Sequence, residues 1–174
     1  MNADTEPQAQ APHASRLDQA LLTLLASRSI AALGTLQADG APFVSMAPYA
    51  LLPDQPALVM HVSGLAAHTR QMAQDGRVSL LITAAEDADT PPQAVARVTL
   101  TAQAVFTDAG SAEAQACRSA YLARHPQAEP ITALPDFSFV RLDVAEARQI
   151  AGFGAARSVS RAALQSLWPL LAQS

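Results

Sequence analysis

The chain has 174 residues, half of them hydrophobic and 15% charged, so it can bury the core of one globular domain and is too apolar for a disordered chain. Its net charge of −4 comes with no basic run, and the clustered footprint of a nucleic-acid binder is missing. No apolar run approaches the ~20 residues of a membrane span, and the N-terminus lacks the basic-then-apolar layout of a signal peptide.

One cysteine, Cys117, excludes an intrachain disulfide, and a reducing cytoplasm is the expected compartment. All 11 basic residues are arginine, so no lysine is present to act as a Schiff-base amine or general base.

Residues 1–14 are polar, carry two prolines and show no hydrophobic period, which predicts a loose tail ahead of a single domain over 15–174. Ser15 and Asp18 have capping-box spacing, and Leu17, Leu21, Leu24 and Leu25 form an apolar stripe at helical spacing. Ile30 to Gln37 suits a strand, 38–40 a tight turn, and Pro42 to Leu52 the partner strand of a hairpin, with Pro48 interrupting its donor ladder. After a turn at 53–56, Leu58 to Val62 reads as a buried strand that Ser63-Gly64 breaks. Leu65, Met72 and Ala73 fit one face of a short helix, Gly76 ends it, and Arg77 to Thr83 is the next strand.

Residues 85–94 are acidic and proline-bearing and predict a surface loop. Val95 to Thr107 alternates as a long strand. Ala112 to Arg124 is a helix with Ala116, Ala120 and Tyr121 toward the core, and His125-Pro126 ends it. Phe137 to Val144 is read as the last strand, 152–154 as a flexible loop carrying Phe153, and Ser158 to Leu171 as a C-terminal helix. Strands outnumber helices and come as hairpins, which predicts a mainly β, α+β chain: an antiparallel barrel with peripheral helices.

Between the strand ending at Val62 and the helix after it sit His61, Ser63, His68, Thr69 and Arg70. A strand-end hydroxyl followed by a polar cluster at a helix start suits a phosphate, because free backbone N–H groups and the helix dipole attract an anion that an arginine can clamp. The alternative is a set of solvated residues on an amphipathic helix with Ser63 as an ordinary cap.

The run 58–83 resembles the flavin-binding segment of the pyridoxamine 5′-phosphate oxidase-like split-barrel family, most of all the branch that includes haem-utilisation proteins. The same branch resembles this chain in Ala-Leu-Gly-Thr-Leu-Gln-Ala-Asp-Gly-Ala-Pro (32–42), Ser-Met-Ala-Pro-Tyr-Ala (45–50) and His-Thr-Arg (68–70). It continues in Arg-Val-Ser-Leu-Leu (77–81), Arg-Val-Thr-Leu-Thr (97–101), Tyr-Leu-Ala-Arg-His-Pro (121–126) and Gly-Phe-Gly (152–154). The resemblance implies a flavin-mononucleotide (FMN)-binding split β-barrel that works as a homodimer with FMN in both interface grooves. It also implies that Ser45, Met46 and Ala47 lie along the flavin ring, that His61, Val62 and Ser63 flank the ribityl chain, and that His68, Thr69 and Arg70 hold the phosphate. Arg97 is implied to reach the ring from the facing strand; without a flavin it is a strand-end charge near Glu86 or Asp87. The oxidase members' Ser-Arg-Lys triplet has no counterpart here, and neither do their C-terminal Arg-x-His and Arg-Leu-x-Pro signatures.

The expected function is accordingly an FMN-dependent oxidoreductase without pyridoxamine-phosphate oxidase activity. The rivals are haem binding and breakdown, and a flavin-binding module without catalysis. Haem iron needs an axial donor such as His, Cys, Met or Tyr. None of these occurs after His125, so a haem ligand would have to come from His125, Tyr121 or the barrel histidines, and the expectation is that FMN binds while haem binds weakly, without a defined histidine ligand. His61 and His68 lack the cysteine neighbours of a zinc site, and no metal ion is expected.

Overall fold

The computed structural model describes residues 14–173, so the expected tail lies outside the described residues up to residue 13. Helix α1 (Arg16–Ser27) starts on the expected capping box: Asp18 N donates to Ser15 Oγ at 3.2 Å, and Ser15 N donates to Asp18 Oδ2 at 2.9 Å. Its stripe buries Leu21, Leu22, Leu24 and Leu25. Strands β1 (Ile30–Leu36) and β2 (Pro42–Pro48) form the expected hairpin, turned at Gly40 with φ +83°, which favours glycine.

The strand expected to run to Leu52 is broken at Tyr49, leaving β3 (Ala50–Leu51). Tyr49 turns its N–H to Ser29 O at 3.0 Å and its hydroxyl to Leu25 O at 2.8 Å, so the chain bends toward α1 just after Pro48. Strand β4 (Ala57–Ser63) and helix α2 (Ala67–Gln74) follow. Leu65 lies ahead of α2 and is exposed, and Ala73 is exposed as well. The face that α2 buries is Thr69 and Met72, so the expected stripe of Leu65, Met72 and Ala73 is corrected at two of three positions.

Strands β5 (Arg77–Thr83) and β6 (Arg97–Phe106) flank a loop holding a 3-10 turn, Pro92–Ala94. Helix α3 (Ala112–Arg124) ends at His125, as Pro126 dictates, and buries Cys117 and Tyr121, whereas Ala116 is exposed. A 3-10 stretch (Pro126–Ala133) leads to β7 (Phe137–Ile150), six residues longer than the strand expected to end at Val144. β7 is not the last strand. Residues 151–155 turn the chain into β8 (Ala156–Ser160), and the C-terminal helix α4 (Arg161–Leu167) begins later than expected, capped by Ser160 Oγ.

The eight strands form one antiparallel sheet in the order β2-β1-β5-β6-β7-β4-β3, with β8 also on β7. β7 serves two neighbours along one edge: residues up to Asp143 pair with β4 and residues from Glu146 pair with β8. A register shift against Thr101/Ala102 separates the two halves. Because β2 passes through Tyr49 into β3, which pairs with β4, the sheet curls back on itself as a split barrel. Its interior is filled by Leu33, Leu58, Met60, Leu80, Ile82, Leu100 and Leu142, each fully buried. Burial of one such side chain is worth about 1.5–3 kcal/mol. A second, smaller cluster forms where α3 covers the outside of β3 and β4, around Val59, Cys117 and Tyr121.

Candidate functional site

The first shaping element is α2. Thr35 on β1 donates its hydroxyl to Gln71 Oε1 at 2.6 Å, and Met72 is buried in the barrel core, so the helix lies against the inner end of β1 and β2. That docking brings His68 to Ser45: His68 Nδ1 and Ser45 Oγ are 3.0 Å apart. Burial holds the His68 imidazole below the ordinary histidine pKa, so the ring is neutral at neutral pH. When Nδ1–H donates to Ser45, Nε2 carries the lone pair and has no partner in the chain. A ring fixed through one nitrogen with the other left as a lone pair is the arrangement of a metal-binding histidine.

Thr69 adds a second unusual group. Its hydroxyl is buried and makes no hydrogen bond. The N-cap residue ahead of the helix is Ala66, whose side chain provides no cap, so the amides of the first turn have no side-chain acceptor. Arg70 is exposed and donates to Leu65 O at 2.7 Å, which draws its guanidinium back toward the start of α2. His68, Thr69 and Arg70 therefore surround one helix start, with Ser45 opposite.

The remaining candidates separate according to strand alternation. Ala47 faces inward with Ser45, while Met46 points to the other side of the sheet and is 61% exposed. Val62 is in the barrel core. His61 points the opposite way, toward α3, where its ring lies 4.9 Å from Phe137 and 4.5 Å from Phe139. Ser63 closes the end of β4 by donating to Asp136 Oδ2 at 2.8 Å. Arg97 pairs with neither Glu86 nor Asp87; it donates to the carbonyls of Gln93 and Val95 at 3.2 and 3.0 Å. Its place on β6, partnering Thr83 and Ile150, is three strands away from Ser45 within one chain.

Two other possible donors are committed to structure. His125 Nε2 lies 2.9 Å from Tyr49 O, and Tyr121 is buried against His61 and His125. Arg124 donates to Arg28 O at 3.0 Å. Gln71 and Asp136 were missed in the sequence, since nothing in their local pattern shows the strand ends they hold. Among the described residues no group of three or more His, Cys, Asp or Glu could hold a metal ion, and no helix is long and apolar enough to cross a membrane.

The chain is 34% identical over 118 residues to the chloroplastic non-canonical haem oxygenase HOZ of Arabidopsis thaliana, a match covering 68% of this chain and 34% of that protein. A solved haem-binding protein from Mycobacterium smegmatis is similar at 33% identity and a TM-score of 0.77, over 87% of this chain and 60% of that one. The chain thus spans about a third of the Arabidopsis protein and less than two thirds of the mycobacterial one. A putative pyridoxamine 5′-phosphate oxidase from Listeria innocua shares the fold, with a TM-score of 0.55 at 15% identity over 79% of this chain and all of that one. The split barrel expected from the motifs is therefore the fold of the chain, and its relatives include the haem proteins of that branch. A family model described as CREG, beta-barrel matches residues 18–165, and the chain belongs to that family.

Proposed function

We propose that the chain binds haem at the start of α2 beside β2, with His68 Nε2 as the axial donor, and that it serves haem breakdown. The observation that carries the reading is the His68–Ser45 pair: a neutral, half-buried imidazole held through Nδ1 with Nε2 unengaged. The fit is chemical as well. Imidazole is an ordinary haem ligand, and in the tautomer in which Nδ1–H donates to the Ser45 hydroxyl, Nε2 is the nitrogen offered. Of the other described donors, His125 holds Tyr49 O, Cys117 is buried beneath α3, Met60 and Met72 are core, and His61 and Met46 point to the other side of their strands. The haem-protein relatives at 33–34% identity support the same reading.

Bound haem would supply the oxygen chemistry. The chain's own part is to present Nε2, to keep it unprotonated through burial, and to set Arg70 where a carboxylate substituent of the ring can meet a guanidinium. A homodimer is part of the proposal, because the outer face of β1 and β2 carries exposed aliphatic side chains.

FMN is the second reading, and a separate observation favours it. The uncapped start of α2, Arg70 and the unpartnered Thr69 hydroxyl offer the polar groups that a phosphate takes. One set of titrations separates the two. Haem added to the purified chain should give a stoichiometric complex with a histidine-type Soret band, and His68→Ala should weaken it by about tenfold or more and shift the band. An unchanged spectrum in His68→Ala would remove haem ligation by this residue. Tight FMN binding that Arg70→Ala weakens, with riboflavin indifferent to the change, would put the flavin reading in its place.

A further inference from the structure

The outer side of β4 carries a cavity away from His68. It has a volume of about 320 Å3, within the range of small-molecule sites, and lies between α3 and the strand pair β4–β7. Its floor is aromatic. His61 and Phe139 are cross-strand partners with rings 4.5 Å apart, and Phe137 stacks on His61 at 4.9 Å. Its rim is polar, with Gln115 and Arg118 on α3, and Thr132.

His61 is the group that the fold leaves unexplained. It is only 9% exposed and neither ring nitrogen has a hydrogen-bond partner, yet the ring lines the cavity. With no partner in the chain and the ring facing the cavity, its nitrogens are open to a polar atom of a ligand. One charged group bears on it, Asp136 from the loop before β7, while Arg118 from α3 lines the same cavity. Burial nevertheless holds His61 below the ordinary histidine pKa, with Asp136 pulling the other way, so the ring offers one donor and one acceptor at neutral pH. Arg118 is loosely held: its guanidinium is 3.5 Å from Glu129 Oε1 and 3.3 Å from Thr132 Oγ1. It is half-exposed at the cavity mouth, where an anion would compete with Glu129 and Thr132 for the guanidinium.

We propose that this cavity binds a small hydroxylated aromatic carboxylate, its ring against Phe137 and Phe139, its hydroxyl on His61 and its carboxylate on Arg118. The site is independent of the haem reading, since His61 and His68 lie on opposite sides of the barrel wall.

The probe is 4-hydroxybenzoate, added to the full chain while the histidine ring resonances are followed by NMR. The expected result is a saturable shift of the His61 resonance, with His68 unmoved. Arg118→Gln, a surface change that leaves the fold alone, should weaken binding about tenfold, and 4-hydroxybenzyl alcohol, which lacks the carboxylate, should show the same loss. His61→Phe keeps the aromatic stack and should abolish the site while leaving the haem Soret band unchanged. Absence of a saturable His61 shift, or an affinity that Arg118→Gln leaves unaltered, would overturn the proposal whatever the outcome of the haem titration.

Discussion

A buried hydroxyl without a hydrogen bond is a cost that the folded chain carries, and Thr69 carries it at the start of α2. Valine has the same shape without the polar atom. Thr69→Val should therefore leave the unliganded protein as stable as before or raise its stability by about 1 kcal/mol, read from the denaturant midpoint. A loss larger than that would show the hydroxyl to be satisfied and take away its role as a ligand contact. The run of motifs in the sequence pointed to this helix start, and His68, Thr69 and Arg70 do meet there. His61, Val62 and Ser63 were read as a block, and a strand cannot keep a block together. Its period of two sends Val62 into the barrel and His61 out to α3. The Ser45–His68 contact was not legible either, because 23 residues separate the two and only the docking of α2 joins them.

Among the elements, α1 shows how a locally legible helix is tied to the rest by long-range contacts. Its capping box could be read from Ser15 and Asp18, but Asp18 does a second job: its carboxylate takes a bond from Arg157 on β8 at 2.7 Å. Gln149 on β7 donates to Leu17 O at 2.9 Å beside it. Partial burial works to raise the Asp18 pKa, but the hydrogen bonds from Ser15 and Arg157 outweigh it and hold the carboxyl below the ordinary 3.8. A depressed folded-state pKa means stability that is present above the ordinary value and is lost as pH falls through the folded one. Acid should thus loosen the α1–β8 contact only below about pH 4. Asp18→Asn should cost about 1 kcal/mol at neutral pH and flatten that part of the pH–stability curve. A curve with the same slope in the variant would assign the acid transition to other carboxylates.

The same scale explains the errors at the C-terminus. Val159 was read as helical, and it lies on β8, where Ala147 of β7 pairs with it. Pairing with the far half of a 14-residue strand overrides the helical period of the residues that follow. Gly76 marks the opposite case, a break that was legible though its full reason was not. A Cβ there would come 2.8 Å from Ala104 O and collide with the Gln103 side chain, so the chain can cross β6 closely only with glycine.

At the scale of the whole molecule, one face of the sheet is incompletely covered. Met46 lies beside Ala32, which lies beside Leu81, and Val44 lies beside Gly34 in the next row. Val44 is 67% and Met46 61% exposed, and Ile30 and Leu81 extend the patch. A contiguous aliphatic surface on a sheet face is characteristic of a protein contact, and a second copy of the chain is the occupant we propose. Ser45 lies between Val44 and Met46 on β2 but turns its hydroxyl to His68 on the other side of the strand, so a copy seated on this face would lie across β2 from His68. A second copy would also supply an Arg97, which within one chain is three strands away from Ser45. Sedimentation should then give about twice the chain mass of 18.2 kDa at micromolar concentration. Both positions already face solvent in one chain, so the double variant Val44→Glu, Met46→Glu should fold normally and sediment as a monomer. Its haem affinity should drop by about tenfold if the haem site is shared between copies. A wild-type monomer would end the dimer proposal, and a double variant that stays dimeric would move the interface to another face.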